Sequence, residues 1–291
     1  MKRVSLFVCL ALVLTMITAG SAMAADRIFF GIATGGTGGT YYPLGGMLAQ
    51  LVSNAVEIDG KKLSATAETG NASVANATLL GREGIESAFV AADILDAAYK
   101  GEKQFDGKAI KNIRALGALY PETVQLVVRG NSGINTFMDL KGKSVSSGSP
   151  GSGQWQLLGD LMVAHGMDRK DLSVEKIKDG NLDASLITAG SPTASVMELA
   201  NHHSIKIVPL TGAPIAKLRE VQPYYAETIL PANTYEGQTE DVKTIAVRAI
   251  WATHDKLDDK VAYEIVKALY ENTETLAKVH VKGKEISLEK A

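Results

Sequence analysis

Residues 27–54 read RIFFGIATGGTGGTYYPLGGMLAQLVSN, and this stretch predicts the fold class. Its apolar start, Arg27–Ala33, is typical of a buried strand. The glycines that follow allow positive φ angles and let the backbone expose its N–H groups. Residues 43–54 then predict a helix with a proline near its start. The stretch is therefore expected to form a strand, a glycine turn and a helix.

The chain after this unit repeats the alternation of strands and helices. Residues 63–68 and Ser87–Ala91 are predicted strands, and residues 71–82 between them are a predicted helix. This β-α-β-α-β order indicates a parallel sheet with helices on its faces. Two further strands are expected at 113–120 and 124–128, separated by the chain breaker Pro121.

The second half of the chain restarts the same scheme. A strand at 143–147 leads into a second glycine-rich turn at 148–153 and a helix at 154–165. The remaining predicted elements are the strands 184–188, 205–209 and 244–253 and the helices 192–201 and 260–272. We expect two α/β lobes, lobe I formed by 25–122 and 230–291 and lobe II by 123–229. Ligands in such sheets lie beyond the carboxyl ends of strands, so the two glycine turns should face each other across a cleft.

One connection in lobe II is too short for this scheme. A parallel crossover takes about a dozen residues or more. Between the strand-like segments 172–175 and 183–188, only residues 176–182 are available. Either the first segment is not a sheet strand, or the chain lacks a helix here.

The first 24 residues have the pattern of a cleaved secretion signal. Lys2 and Arg3 precede the apolar run 4–18, and Ala22-Met23-Ala24 is a small-x-small cleavage site. The run is shorter than the ~20 residues that span a bilayer, which argues against a membrane anchor. We therefore expect a periplasmic protein. The only cysteine lies inside the signal, so the mature chain should have no disulfide, thiol nucleophile or thiolate metal site.

Charge and histidine content exclude several classes of partner and site. The chain has 30 basic and 32 acidic residues, without basic clusters, which argues against nucleic acid or an anionic membrane as partner. His202 and His203 are adjacent and would point in different directions on a helix. The other histidines have no metal-ligand spacing with them, so no metal and no cofactor are expected.

The first glycine turn is a candidate anion site. It comprises Gly36, Thr37, Gly38, Gly39, Thr40 and Tyr41. Exposed backbone N–H groups before a helix N-terminus suit a negatively charged ligand. The turn lacks the lysine of a P-loop, and its glycine spacing does not fit the dinucleotide fingerprint. The alternative is a tight strand-to-helix turn without a ligand.

The second turn follows the same logic and adds hydroxyl groups. Its candidate residues are Gly148, Ser149, Gly151, Ser152 and Gly153. Ser152 would alternatively be a simple helix cap. Neither serine lies in a G-x-S-x-G frame, so no hydrolase nucleophile elbow is present. Weaker candidates of the same kind are Asn71, Ser73, Thr188, Ala189 and Gly190.

The run 31–46, GIATGGTGGTYYPLGG, resembles the N-terminal signature of TAXI-type receptors, the solute receptors of one branch of TRAP transporters. The similarity continues in order along most of the mature chain. It includes the segments ETGNASVANATLL, ALYPETVQLVVR, DLKGKSVSSGSPGSG, ITAGSPTASVMELA and ANTYEGQTEDVKTIAVRA. The chain departs from the family at Ala91, where the family has a glutamine, and is shorter than the family near residues 171–183.

This resemblance implies a two-lobed Venus-flytrap fold, type II-like, that closes on a small organic anion. Family members are associated with glutamate-like amino acids and other dicarboxylates. The receptor would be a monomer without catalytic activity that hands its ligand to the membrane permease subunits of a TRAP transporter. By the family pattern, the residues at 36–41, 71, 73, 148–153 and 188–190 named above should line the cleft.

Two other function classes stay open at this point. One is a secreted serine-dependent hydrolase using Ser149 or Ser152, although no histidine or lysine base is recognisable in the sequence. The other is a surface interaction or antigenic protein with a vestigial cleft. The glycine turns favour the receptor, with a ligand that carries at least one carboxylate.

Overall fold

A computed structural model describes residues 27–173 and 182–291 of the chain. Its strands are β1 Arg27–Ala33, β2 Glu57–Ile58, β3 Lys61–Glu68, β4 Ser87–Ala91, β5 Ile113–Arg129, β6 Val145–Ser146, β7 Ala184–Ala189, β8 Ile205–Val208, β9 Ala226–Leu230 and β10 Val242–His254. Its α-helices are α1 Tyr41–Ala55, α2 Ser73–Gly81, α3 Ala92–Lys100, α4 Gly153–Ala164, α5 Ala194–His202, α6 Ala213–Val221, α7 Asp259–Glu271 and α8 Thr273–Val279. The predicted signal segment and most of the short connection 176–182 lie outside the described residues.

The strands form one mixed sheet in the order β2-β3-β1-β4-β10-β5-β7-β6, with β8 paired to β5 and β9 paired to β10. β1 is parallel to β3 and β4, as predicted for a β-α-β-α-β unit. β10 pairs with β4 through its second half and with β9 through its first half. β5 likewise pairs with β7 and β8 only through its second half. The two long strands β5 and β10 therefore connect the two halves of the molecule.

The break expected at Pro121 does not occur. Residues 113–120 and 124–128, predicted as two strands, belong to the single strand β5. Pro121 lies opposite Arg248 of β10, where the register shifts before Ile250. A proline cannot donate to a strand ladder, and a bulge is one place where the missing donor is tolerated. The expectation was wrong because the extra residue of this irregularity lies on β5, beside Pro121, and the strand continues through it.

Several other elements differ from the predictions. The strand predicted at 143–147 is reduced to β6, and the segment around 172 contributes an isolated bridge between Ser144 and Ser173. Helix α2 begins at Ser73 rather than at residue 71. Helices α3, α6 and α8 were not predicted at all. Among residues 27–173 and 182–291, no helix is long and apolar enough to cross a membrane.

A buried amide holds the first glycine turn in place. Asn76 of α2 is 2 % exposed, and its Nδ2 donates to the carbonyl oxygens of Ala33 at 3.3 Å, Thr34 at 2.9 Å and Phe89 at 2.8 Å. The Thr34 hydroxyl donates to the carbonyl oxygen of Glu68 at 2.7 Å. One side chain thus joins the carboxyl end of β1 and the middle of β4 to helix α2. This anchoring positions the turn that follows β1.

Candidate functional site

A cavity of about 1100 Å³ lies between the two halves of the molecule. Its wall includes the first glycine turn, the start of α2, the connection from β4 to α3, the second glycine turn and the end of β7. The volume is slightly above the range of about 300–1,000 Å³ that is common for small-molecule sites. The two turns predicted to face each other therefore do share one cavity.

Most of the residues predicted to bind a ligand lie on the cavity wall: Gly36, Gly38, Gly39, Thr40, Tyr41, Ser73, Gly148, Ser152, Gly153, Thr188 and Ala189. The wall does not include the other predicted residues, which are Thr37, Asn71, Ser149, Gly151 and Gly190. Thr37, Asn71 and Ser149 are instead exposed to solvent. A ligand-binding role for any of these residues stays a prediction.

Hydrogen bonds connect each glycine turn to a segment in the other half of the molecule. The Ser195 N–H at the start of α5 donates to the carbonyl oxygen of Gly38 at 3.2 Å. The Ala75 N–H of α2 donates to the carbonyl oxygen of Gly151 at 3.3 Å. The Thr40 hydroxyl donates to the carbonyl oxygen of Gly190 at 3.1 Å. These contacts place the two halves in a closed arrangement around the cavity.

Helix α4 begins in the second glycine turn and points its N-terminus at the cavity. Ser152 is its N-cap, and the Ser152 Oγ accepts from the Trp155 N–H at 3.2 Å. The Ser152 hydroxyl also makes a long contact of 3.5 Å with the carbonyl oxygen of Ser147. Both partners are backbone groups. Ser152 therefore has the role of a helix cap, which was the alternative to ligand binding predicted from the sequence. The helix N-terminus adds partial positive charge to this side of the cavity.

Gly148 offers a test of how this turn is built. It has a φ of +76°, and a Cβ there would lie 2.9 Å from the Ser152 Oγ. Gly148→Ala should lower the free energy of unfolding by about 2 kcal/mol, because left-handed strain adds to the displaced cap. Gly151, with a φ of +90° and open space, should show only the strain, about 1 kcal/mol. Gly36→Ala, with open space and no positive φ, is the control, and urea denaturation ranks the three variants. Equal losses at Gly148 and Gly151 would contradict a contribution from the Ser152 contact.

Two buried acids on the cavity wall were not among the predicted site residues. Glu122 of β5 is 4 % exposed, and its Oε2 accepts from the Tyr41 hydroxyl at 2.9 Å. Asp93 of α3 is 3 % exposed, and its Oδ2 accepts from the Tyr225 hydroxyl at 2.8 Å. The sequence signal for both is a single acid within an apolar stretch, FVAAD and ALYPETVQLVV, since acids are rarely buried without a partner.

Burial shifts the ionisation of this acid pair. Removal from water raises the pKa of Glu122 to about 8, the hydrogen bond from Tyr41 opposes this, and the nearby charge of Asp93 adds to it. Burial also raises the pKa of Asp93, against the hydrogen bond from Tyr225 and the charge of Lys103. Each carboxylate therefore lacks a partner that compensates for its lost hydration.

The tyrosine contacts link the acid pair to the predicted site. The hydroxyl groups of Tyr41 and Ser73 are 3.3 Å apart, and the Ser73 Oγ accepts from the Ala91 N–H at 3.0 Å. Tyr41 therefore joins the first glycine turn to Glu122, and Ser73 joins it to the strand that precedes Asp93. Hydrogen bonds therefore connect the first glycine turn and Ser73 to Glu122.

Solved structures confirm the predicted fold class, a two-lobed α/β periplasmic-binding-protein fold with a mixed sheet flanked by helices. A protein of Bordetella bronchiseptica RB50 has a TM-score of 0.56 at 15% identity, with coverage of 89% of this chain and 76% of that chain. The alkanesulfonate-binding protein SsuA from Xanthomonas axonopodis pv. citri, bound to MOPS, has a TM-score of 0.52 at 14% identity, covering 89% and 79%. A structure concerned with glutathione import via GshT and the cystine ABC importer TcyBC of Streptococcus mutans has a TM-score of 0.51 at 14% identity, covering 89% and 94%.

At these identities the solved structures show the fold alone. Family membership rests on a separate comparison, in which the profile of the NMT1-like family matches residues 32–291. This match includes both glycine turns, both acids of the cavity wall and the two long strands that connect the halves. The chain therefore belongs to the NMT1-like family.

Proposed function

We propose that this protein is an extracytoplasmic solute receptor that binds a small carboxylate between its lobes. The observation that carries the proposal is the single cavity of about 1100 Å³, into which both glycine turns and the N-terminus of α4 open. Solved proteins of this fold include an alkanesulfonate-binding protein, which supports an anionic solute for the same architecture. The finer assignment, to the TAXI branch of TRAP transporters with membrane permease subunits as partners, rests on the sequence resemblance.

The chemistry of the turns favours a carboxylate. Backbone N–H groups and a helix N-terminus stabilise negative charge without a charged side chain. Charge-assisted hydrogen bonds contribute about 1.5–3 kcal/mol each, so three or four give about −8 kcal/mol, or micromolar affinity, after the cost of association. A glutamate-like amino acid or a dicarboxylate supplies the required group. We also propose that residues 1–24 are a secretion signal. The lobes are proposed to divide between residues 122 and 123 and between residues 229 and 230.

The contacts of the candidate nucleophiles support a receptor over a hydrolase. The Ser152 Oγ is engaged by backbone groups of Trp155 and Ser147, and Ser149 is exposed outside the cavity wall. A catalytic serine needs a general base within hydrogen-bond reach. A cavity whose wall is built from capped turns and buried polar groups is suited to holding a solute.

A thermal-shift screen of amino acids, dicarboxylates, sulfonates and neutral sugars tests the proposal, with calorimetry on the hits. We expect a carboxylate to raise the melting temperature, since a ligand that binds only the folded state stabilises it by mass action. Stabilisation by neutral sugars with inert carboxylates would overturn the carboxylate assignment. Absence of any stabilisation would favour the interaction protein with a vestigial cleft.

Ser152→Ala separates receptor from enzyme. The substitution removes the cap that holds the N-terminus of α4 at the cavity, so carboxylate affinity should weaken by ~1–3 kcal/mol, about tenfold to a hundredfold. The free energy of unfolding without ligand should fall by about 0.5–2 kcal/mol. Ser149→Ala, at an exposed residue of the same turn, is the matched control and should change neither quantity. Calorimetry gives the affinity, and product formation from esters and amides gives turnover. Wild-type turnover that disappears in Ser152→Ala while affinity is preserved would contradict the receptor.

A further inference from the structure

We propose that Glu122 and Asp93 form a subsite for a cationic group of the solute, so that the ligand is a zwitterion such as an amino acid. This inference rests on the proposed function and narrows it. A plain dicarboxylate has no cation to place beside these two acids. The glycine turns would receive the carboxylate of the ligand, and the acid pair its ammonium.

Asp93 has a buried acceptor atom without a donor among residues 27–173 and 182–291. The Asp93 Oδ1 is buried and has no hydrogen-bond partner within the described part of the chain, although its Oδ2 accepts from Tyr225. A buried carboxylate oxygen without a donor is energetically costly, so native structures rarely keep one without reason. Asp93 lies on the cavity wall, where a ligand N–H would complete its contacts.

The existing hydrogen bonds of both acids run in the same direction, from a tyrosine hydroxyl to a carboxylate oxygen. The hydroxyls of Tyr41 and Tyr225 donate to Glu122 and Asp93, so both carboxyl groups already act as acceptors. This part of the cavity wall can therefore accept further hydrogen bonds from a ligand. An ammonium group is the natural counterpart, because it has three donors and no acceptor.

The charges around the acid pair also favour a cationic ligand group. Lys103, whose charge acts on Asp93, is itself paired with Asp160 at 2.8 Å. The charge of Asp93 disfavours ionisation of Glu122, and burial disfavours the ionisation of both acids. A bound cation would reverse these effects, whereas a second ligand carboxylate would add repulsion. The opposing possibility is a protonated Glu122 that donates to a ligand carboxylate, and this would favour the dicarboxylate.

Matched pairs of acids that differ only in the amino group test the subsite. Calorimetry would compare glutamate with glutarate, aspartate with succinate, and leucine with 4-methylpentanoate on the wild-type protein. In every pair that binds, the amino acid should bind at least tenfold more tightly. Equal or tighter binding of the acid without the amino group would overturn the subsite and leave the proposed function standing. If no member of any pair binds, the carboxylate receptor itself fails, and the subsite with it.

Substitutions then assign the preference to the acid pair. Glu122→Gln and Asp93→Asn should each weaken binding of the amino acid about tenfold to a hundredfold and leave the matched acid unchanged or tighter. Asp96→Asn, on the same helix as Asp93 but in a surface pair with Lys100, is the control and should keep the wild-type preference. Using two variants guards against one that fails to fold, which circular dichroism would reveal. An amino-acid preference that survives in folded Glu122→Gln and Asp93→Asn would overturn the assignment.

Discussion

Between about pH 4.5 and about pH 8, the free energy of unfolding of the ligand-free protein should fall by several kcal/mol, and Glu122→Gln should remove most of that fall. Burial raises the pKa of Glu122 from 4.5 to about 8 in the folded protein. Across this window the unfolded chain has lost a proton that the native state keeps. Stability therefore decreases with rising pH, by about 1.4 kcal/mol per pH unit for each such proton.

The groups around Glu122 reinforce the sign of this effect. The pKa of Asp93 is also raised by burial, so its proton contributes in the same direction. Burial raises the pKa of the phenols of Tyr41, Tyr120 and Tyr225, which therefore stay neutral throughout the window. The loss of stability should be complete only above the folded-state pKa of Glu122.

Urea denaturation at several pH values checks this prediction. Glu122→Gln should match the wild-type protein near pH 4.5 and exceed its stability by several kcal/mol near pH 8. Glu271→Gln, at an exposed residue of α7, is the control and should keep the wild-type slope. A wild-type stability that is flat across the window, or an unchanged slope in Glu122→Gln, would show that Glu122 ionises normally in the folded protein.

Asn76→Ala should lower the free energy of unfolding by about 3–5 kcal/mol. The substitution removes the donor shared by the carbonyl oxygens of Ala33, Thr34 and Phe89. Each lost hydrogen bond costs about 1 kcal/mol, and a buried acceptor left without a donor costs about 1–3 kcal/mol. A cavity at a site that is 2 % exposed adds to the loss.

Asn71→Ala is the matched control, because Asn71 precedes the same helix but is exposed. Its effect on stability should stay within about 0.5 kcal/mol, as for most surface substitutions. Denaturant unfolding of both variants makes the comparison. Since Asn76 also anchors the first glycine turn, the melting temperature gained with a bound carboxylate should shrink in Asn76→Ala. A loss below about 1 kcal/mol would contradict the anchoring role.

Much of the fold could be predicted from the sequence because the patterns that indicate its strands, turns and helices are local. The boundaries of β1 and β4 match the predicted strands, and helix α1 starts within two residues of the predicted position. The two glycine turns could be recognised as carriers of exposed backbone donors, because glycine content sets the allowed φ angles wherever the chain goes. The missed helix α3 has ordinary local signals, with Asp93 in its first turn, Lys100 in its last turn and Gly101 after its end, and it could have been predicted from the sequence.

Only one side of the candidate site could be predicted from the sequence. Its glycine side depends on residues that are adjacent in the chain, such as Gly148 and Ser152. Its acidic side depends on pairs far apart, since Tyr41 and Glu122 are separated by 81 positions, and Asp93 and Tyr225 by 132. No local pattern brings such residues together.

The sequence by itself determined the alternation of elements, the two glycine turns and the absence of metal-ligand spacing among the histidines, because each of these depends on near neighbours in the chain. Only the tertiary structure decided that Pro121 continues a strand, because the pairing of β5 with β10 shifts register next to it. It also decided which turn residues face the cavity and that two acids share its wall. The physical reason is that burial, bulges and paired charges are set by groups that the fold brings together from distant positions.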